Sequence, residues 1–148
     1  MMDANTNRKE IMIYLLNKNT GNRLSANFHS NEFTCHCTCG ICLVDTELVI
    51  VCERVRSLAG EPVSIVRGYS CPQHNAKIGG AELSRHMMGT AADFYWKGMA
   101  EKLADKGFRQ QIRDLKYTTQ LMGIGFGKNK LHLDTDRSRI HLTEWEYK

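Results

Sequence analysis

The sequence predicts an α+β fold, a small antiparallel sheet with flanking helices. Three observations carry that prediction. One segment, "DTELVIVCERVRSLAG", has the apolar period of a helix. Two runs, "PVSIVRGY" and "TAADFYW", have the β-branched and aromatic content of strands. Near the end, three short strand-like runs are separated by Gly, Asn, Asp and Ser turns rather than by helices, which favours antiparallel pairing. A chain of 148 residues, 42% apolar and 24% charged, is long enough to close one core.

Taken in order, residues 1–24 are polar apart from "IMIYLL" at 11–16 and are expected to form an N-terminal arm or edge element ahead of a single domain over 25–148. The stretch "SANFHSNEFTCHCTCGICLVD" is rich in turn formers and cysteine and reads as a loop. In the helix that follows, Leu48, Val51, Cys52, Val55 and Leu58 share a face, Asp45 or Thr46 can cap the start, and Gly60 can end it. After the "PVSIVRGY" strand, "SCPQHNAKIGGAELS" is a loop with room for one helical turn after Pro72. The "TAADFYW" strand leads to "GMAEKLADKGFRQQIRDLKY", helical in composition, with Leu103, Phe108, Ile112 and Leu115 as core candidates and Gly107 as the point of weakness. The closing strands are expected in "LMGIGFG", "KLHLDTD" and "RIHLTEW".

No run approaches the ~20 apolar residues of a membrane span. "IMIYLL" lacks a cleavage site of the signal-peptide kind, so synthesis in the cytoplasm without a signal peptide is expected. The net charge of +4 is spread along the chain, so neither a nucleic-acid partner nor a membrane partner is expected, and the chain reads as a monomer. Of six cysteines, four fall in "CHCTCGIC". Cys39 and Cys42 have the spacing of half a zinc site. No second pair follows at finger distance, and Cys35 and Cys37 are close together. A structural zinc on Cys35, Cys37, Cys39 and Cys42 is therefore not expected; reduced thiols, or disulfides outside the cell, are the alternatives.

Chemistry concentrates in two stretches. In "SRHMMGTAADFYW", His86 and Asp93 flank a Gly-Thr turn, and Asp93 is an acid inside an otherwise buried strand. In "KLHLDTD", strand alternation puts His132, Asp134 and Asp136 on one side, with Leu131 and Leu133 on the other. If the two strands pair, His86, Asp93 and His132 converge. Two imidazoles and a carboxylate suit Zn²⁺ and leave a fourth position open. Asp134 then has two readings, a proton carrier or a group that orients His132. His29, His36, His74 and His141 compete for the ligand role on composition alone, with His141 better suited to a structural part.

These residues resemble a known family. Ser84 to Asp93 is similar to the SxHxxGxAxD signature of zinc D-alanyl-D-alanine metallopeptidases, which share a metal fold with hedgehog signalling domains and lysostaphin-like enzymes. "VRGYSCPQHNAKIGGAELSRH", "GIGFGKNKLHLDTD" and "NFHSNEFTCHCTCG" look like that family's lead-in, closing strand and front loop, so the likeness covers about residues 25–136. It implies zinc on His86, Asp93 and His132, with Ser84 beside the site and Gly89 turning the chain between the first two ligands.

The chain departs from the pattern in two places. Where many relatives carry an acid three residues before the last histidine, this sequence has Asn129; the His-x-Asp branch points to Asp134 as base instead. Where relatives often have Arg after the Gly-Tyr pair, this sequence has Ser70, with Arg67 just before Gly68. Arg67 is therefore the candidate for a substrate carboxylate or oxyanion, with Ser84 and Ser70 as further substrate-side candidates. The resemblance implies a zinc peptidase cutting peptidoglycan stem peptides next to a D-amino acid, as carboxypeptidase or endopeptidase. Size and the missing signal suit a phage or prophage lysis or virion enzyme acting at the cell wall. The alternative is a zinc-containing wall-binding or structural module without catalysis.

Overall fold

A computed structural model describes residues 13–17, as backbone, and residues 21–148. Residues 1–12 and 18–20, most of the expected N-terminal arm, lie outside the described residues. The parts of it that are described are residues 21–24 and strand β1 (Ile13–Asn17), which pairs antiparallel with β2 (Ile41–Asp45). The second of these strands lies in the cysteine-rich stretch read as a loop. Its core-facing residues are only Cys42 and Val44, too few to show a period of two against the surrounding turn formers.

Helix α1 (Thr46–Ala59) forms as its periodicity requires. Asp45 caps the start by accepting from the Glu47 N–H at 3.1 Å, and Gly60 closes it in the left-handed region at φ 68°. Leu48, Val51, Cys52 and Val55 are buried, and the helix packs on β3 (Val63–Arg67), β4 (Ala91–Trp96) and a later helix. Helix α2 (Pro72–Lys77) is the short turn expected after Pro72, with Pro at its first position. The long helical segment is two helices, α3 (Met99–Ala104) and α4 (Lys106–Asp114). The break falls at Asp105, not Gly107. Asp105 is extended (φ −83°, ψ 117°) and accepts from the Gly107 N–H at 2.8 Å, so it ends one helix and caps the next.

The main sheet has five strands in the order β3-β4-β6-β5-β7, with β5 at Gly123–Phe126, β6 at Leu131–Asp134 and β7 at Thr143–Glu146. Four strands are antiparallel, as expected. The last pairing, β5 with β7, is parallel, because the chain crosses between Asp134 and Thr143 instead of turning back as a hairpin. One face of the sheet carries Phe94, Trp96, Leu131, Leu133, Ile124 and Phe126 into the core formed with α1, α3 and α4. The opposite face carries the polar residues. No described helix is long and apolar enough to cross a membrane.

Candidate metal centre

The polar face is organised by register. Asp93 on β4 is paired with Arg67 on β3 and with His132 on β6; His132 is paired with Gly125 on β5, and Gly125 with Trp145 on β7. These positions form one row across the whole sheet. Arg67 belongs to it because the β3 register shifts between Ile65 and Arg67, a bulge that turns Arg67 away from the core-facing series of Val63 and Ile65.

His86 arrives from outside the sheet, on a single 3-10 turn, Arg85–Met88. The Ser84 hydroxyl caps this turn by accepting from the His86 N–H at 3.3 Å. Gly89 ends it at φ 72°, and the chain there lies so close to β2 that a methyl group would be 2.8 Å from the Leu43 carbonyl oxygen. The expected tight turn between His86 and Asp93 is present, and only glycine fits it.

One nitrogen of each histidine and one oxygen of Asp93 converge. His132 Nδ1 is 3.0 Å, and His86 Nε2 3.4 Å, from the same Asp93 Oδ1, and the three donor atoms lie within 4.8 Å of one another. The far edge of each ring is engaged by an acceptor. His86 Nδ1–H donates to the Gly68 carbonyl at 2.8 Å, and His132 Nε2–H donates to Asp134 Oδ2 at 3.2 Å. A carbonyl and a carboxylate can only accept, so both tautomers leave the inward nitrogen with its lone pair, the arrangement of metal-ligating histidines. Burial opposes the charge on Asp93, yet the inward nitrogens of His132 and His86, whenever a proton instead of a metal occupies them, donate to it and hold its carboxyl well below the usual range. Burial likewise opposes charge on His132, but Asp134 and Asp93 raise its pKa. The donor types, their convergence and their outer hydrogen bonds all fit a zinc ion.

Asp134 is fully buried and does not line the cleft above the donors. Arg139 grips both its oxygens, Nε to Oδ1 and Nη2 to Oδ2, each at 3.1 Å. Against burial, His132 and Arg139 keep it ionised below its ordinary pKa. Gly123 makes room for it, since a methyl group there would sit 2.1 Å from Oδ2. Asp136, expected on the same strand face, lies past the end of β6 and pairs with Arg85 at 3.0 Å instead.

The donors open into a cleft of about 300 Å³ whose walls include Arg67, Arg85, Lys130, Arg139, Trp145 and Tyr147. Arg67 is held by two bonds, Nε to the Ser70 hydroxyl at 3.0 Å and Nη2 to Asn75 Oδ1 at 2.9 Å. Ser70 is buried and does not line the cleft; its contact is with Arg67. Ser84 does line it. Lys130, Arg139, Trp145 and Tyr147 are absent from the sequence-based reading. The ring of Trp145 lies 5.2 Å from that of His132, in space that Gly125 leaves by having no side chain. The spacing of "GIGFG" against "TEWEY" is the one signal that would have found it. Among the competing histidines, His141 is exposed, His29 caps the 3-10 turn Ser30–Phe33, and His36 and His74 form an edge contact at 6.3 Å away from the centre.

Residues 26–134 match the family model described as Peptidase M15. The chain belongs to the peptidase M15 family. That family is one of zinc-dependent metallopeptidases of the D-alanyl-D-alanine carboxypeptidase type, and the His86, Asp93 and His132 group could hold its metal. No curated protein sequence is detectably similar to this one. Strand β7, with Trp145, lies beyond the matched residues.

The cysteines fall differently from their grouping in the sequence. Cys42 is buried in the main core. Its place beside Cys35, Cys37 and Cys39 is taken by Cys71, from the turn after β3. All six cysteines are unpaired by disulfide.

Proposed function

We propose that this chain is a zinc-dependent peptidase that cuts peptidoglycan stem peptides beside a D-amino acid. The observation that supports this reading best is the convergence of His86 Nε2, Asp93 Oδ1 and His132 Nδ1 at the base of a cleft with a basic wall. When bound there, zinc supplies a Lewis acid for the scissile carbonyl and makes water acidic enough to act near neutral pH. Asp93 offsets the charge of the ion, and the two histidines hold their inward lone pairs toward it. Asp134 orients His132, in place of the proton-carrying role expected from the sequence. A carboxylate that is sealed from the cleft and gripped on both oxygens by Arg139 is poorly placed to exchange protons with the substrate side.

Arg67 binds a substrate carboxylate. Its Nε and Nη2 are anchored, which leaves Nη1 without a partner among the described residues and sets the guanidinium plane before substrate arrives. Ser70 and Asn75 act through Arg67 as positioning residues, and Ser84 acts through the turn that carries His86. A carboxylate-binding wall suits peptide substrates with a free carboxyl terminus, the carboxypeptidase case; an endopeptidase would use the same arginine on a side-chain carboxylate. Action at the cell wall follows from that substrate, and a phage or prophage lysis role is the setting proposed with it.

A second reading rests on Asn129. With an amide at that position and Asp93 the only carboxylate lining the cleft among the described residues, the fold can also serve as a zinc-holding wall-binding module. Incubation of the zinc-loaded protein with purified muropeptides separates the two. Release of a D-amino acid or a shortened stem peptide, abolished by chelation and by His86→Ala, supports the peptidase. Tight binding with no new product supports the module.

A further inference from the structure

We propose that Cys35, Cys37, Cys39 and Cys71 form a second metal site, a structural zinc bound by four thiolates and separate from the His–Asp–His centre. The four sulfurs lie within 4.8 Å of one another; Cys35 and Cys37 are 3.4 Å apart, and Cys37 and Cys71 3.5 Å. A tetrahedral zinc with bonds of ~2.3 Å requires sulfur separations of roughly 3.8 Å. The observed spacings are close to that edge and far from the ~2.05 Å of a disulfide. The 3.4 Å between the Cys35 and Cys37 sulfurs answers the crowding objection to the sequence grouping, and the fourth ligand comes from a distant turn instead of from Cys42.

The backbone around the cluster supplies an independent observation. Each sulfur accepts a main-chain N–H: Cys35 from Cys71 at 3.3 Å, Cys37 from Cys39 at 3.3 Å, Cys39 from Ile41 at 3.5 Å, and Cys71 from His74 at 3.4 Å. Four sulfurs each met by an N–H donor show the hydrogen-bond pattern that zinc-bound thiolates accept, while burial pushes the Cys35 and Cys39 thiols up until a metal takes the place of their protons. The loop is held in this shape by a bond from the Cys35 N–H to the Ile41 carbonyl at 2.9 Å and by Gly40 at φ 69°. A thiolate-bound zinc carries net negative charge, and His36, His74 and Lys77 border the same hollow.

The position of the cluster gives it a purpose. It ties residues 35–39 to Cys71, in the turn that also carries Arg67, Gly68 and Ser70. Gly68 is the acceptor that orients His86, and Ser70 anchors Arg67. One ion would therefore brace both the first ligand and the basic wall from behind, across a sequence separation of 36 residues.

The test uses the full chain, purified reduced and zinc-loaded, with zinc measured per chain after dialysis. Two zinc ions are expected in the wild type, one in His86→Ala, and none when Cys71→Ser is added to His86→Ala. Because the cysteine variant could fail to fold, the wild type and His86→Ala are also loaded with Co²⁺. Both should show the intense near-ultraviolet sulfur-to-cobalt bands of a thiolate site. The proposal is overturned if His86→Ala holds no zinc or if neither cobalt form shows those bands; one zinc in the wild type that His86→Ala retains, with the bands present, supports the cysteine site and counts against the His–Asp–His centre instead.

Discussion

Asp134 Oδ2 lies 3.2 Å from Nε2 of His132, on the edge of the ring opposite Asp93. That one contact chooses the tautomer in which Nδ1 faces the metal position. Asp134→Asn keeps the shape but removes the charge that Arg139 and His132 share. Metal affinity should fall about 10–100-fold, read by competition with a chromogenic chelator. The fold should lose about 3–5 kcal/mol, because Arg139 is left without its buried partner. A variant that keeps full zinc affinity but loses cleavage would instead return Asp134 to the proton-carrying role.

Gly123→Ala tests the same contact from behind. The new methyl group would collide with the Asp134 carboxylate, so either the strand or the acid must shift. Thermal unfolding should report a loss of about 1–3 kcal/mol, and zinc content should drop with it. Gly60→Ala, where a methyl group meets nothing within 4 Å, serves as the comparison for backbone strain without collision.

Arg67→Ala should raise KM for peptides with a free carboxylate by about 10- to 100-fold, the worth of one charged hydrogen bond. Substrates with that carboxylate amidated should be little affected. Equal loss on both substrates would show that Arg67 serves the fold of the β3 turn and not recognition.

Trp145 makes metal binding visible. Its ring lies 5.2 Å from His132, whereas Trp96 is buried in the core on the other face of the sheet. Chelation of the zinc-loaded protein should change tryptophan fluorescence, and Trp145→Phe should abolish that change. Persistence of the signal in Trp145→Phe would place the change elsewhere.

Glu53 supplies the pH dependence that does not involve the centre. It accepts from the Ser25 hydroxyl at 2.6 Å and from the Asn27 N–H and side-chain amide, each at 2.8 Å, tying α1 to the segment ahead of the cysteine loop. Burial opposes its charge, but these bonds hold its pKa below the ordinary 4.5. A depressed folded pKa means that the stabilisation is complete above about pH 4.5 and is lost as pH falls through the lower folded value. Glu53→Gln should cost about 1–2 kcal/mol at pH 7, and the difference from the wild type should shrink as pH falls below 4.5, measured by urea unfolding.

Much of this protein was legible in the linear chain because it is written in local periods. The α1 face, its Asp45 and Gly60 caps, the β3 and β4 strands, and the alternation of Leu131 and Leu133 with His132 all follow from side-chain spacing within one element. The helix break at Asp105 was misplaced because a capping aspartate competes with glycine as a stop signal. Strand β2 was hidden because its pairing partner precedes a stretch too polar to announce a sheet.

By itself, the sequence determined the fold class, the residue types of the His86, Asp93 and His132 group that could hold a metal, and the turn at Gly89, since each depends on neighbours a few residues apart. Only the tertiary structure decided the rest. It selected Cys71 over Cys42, sealed Asp134 behind Arg139, turned Arg67 onto the polar face at a bulge, and laid Trp145 over Gly125 against His132. Those choices depend on register between strands and on which side of a sheet is buried, and a one-residue shift in either would reverse them without changing any local pattern.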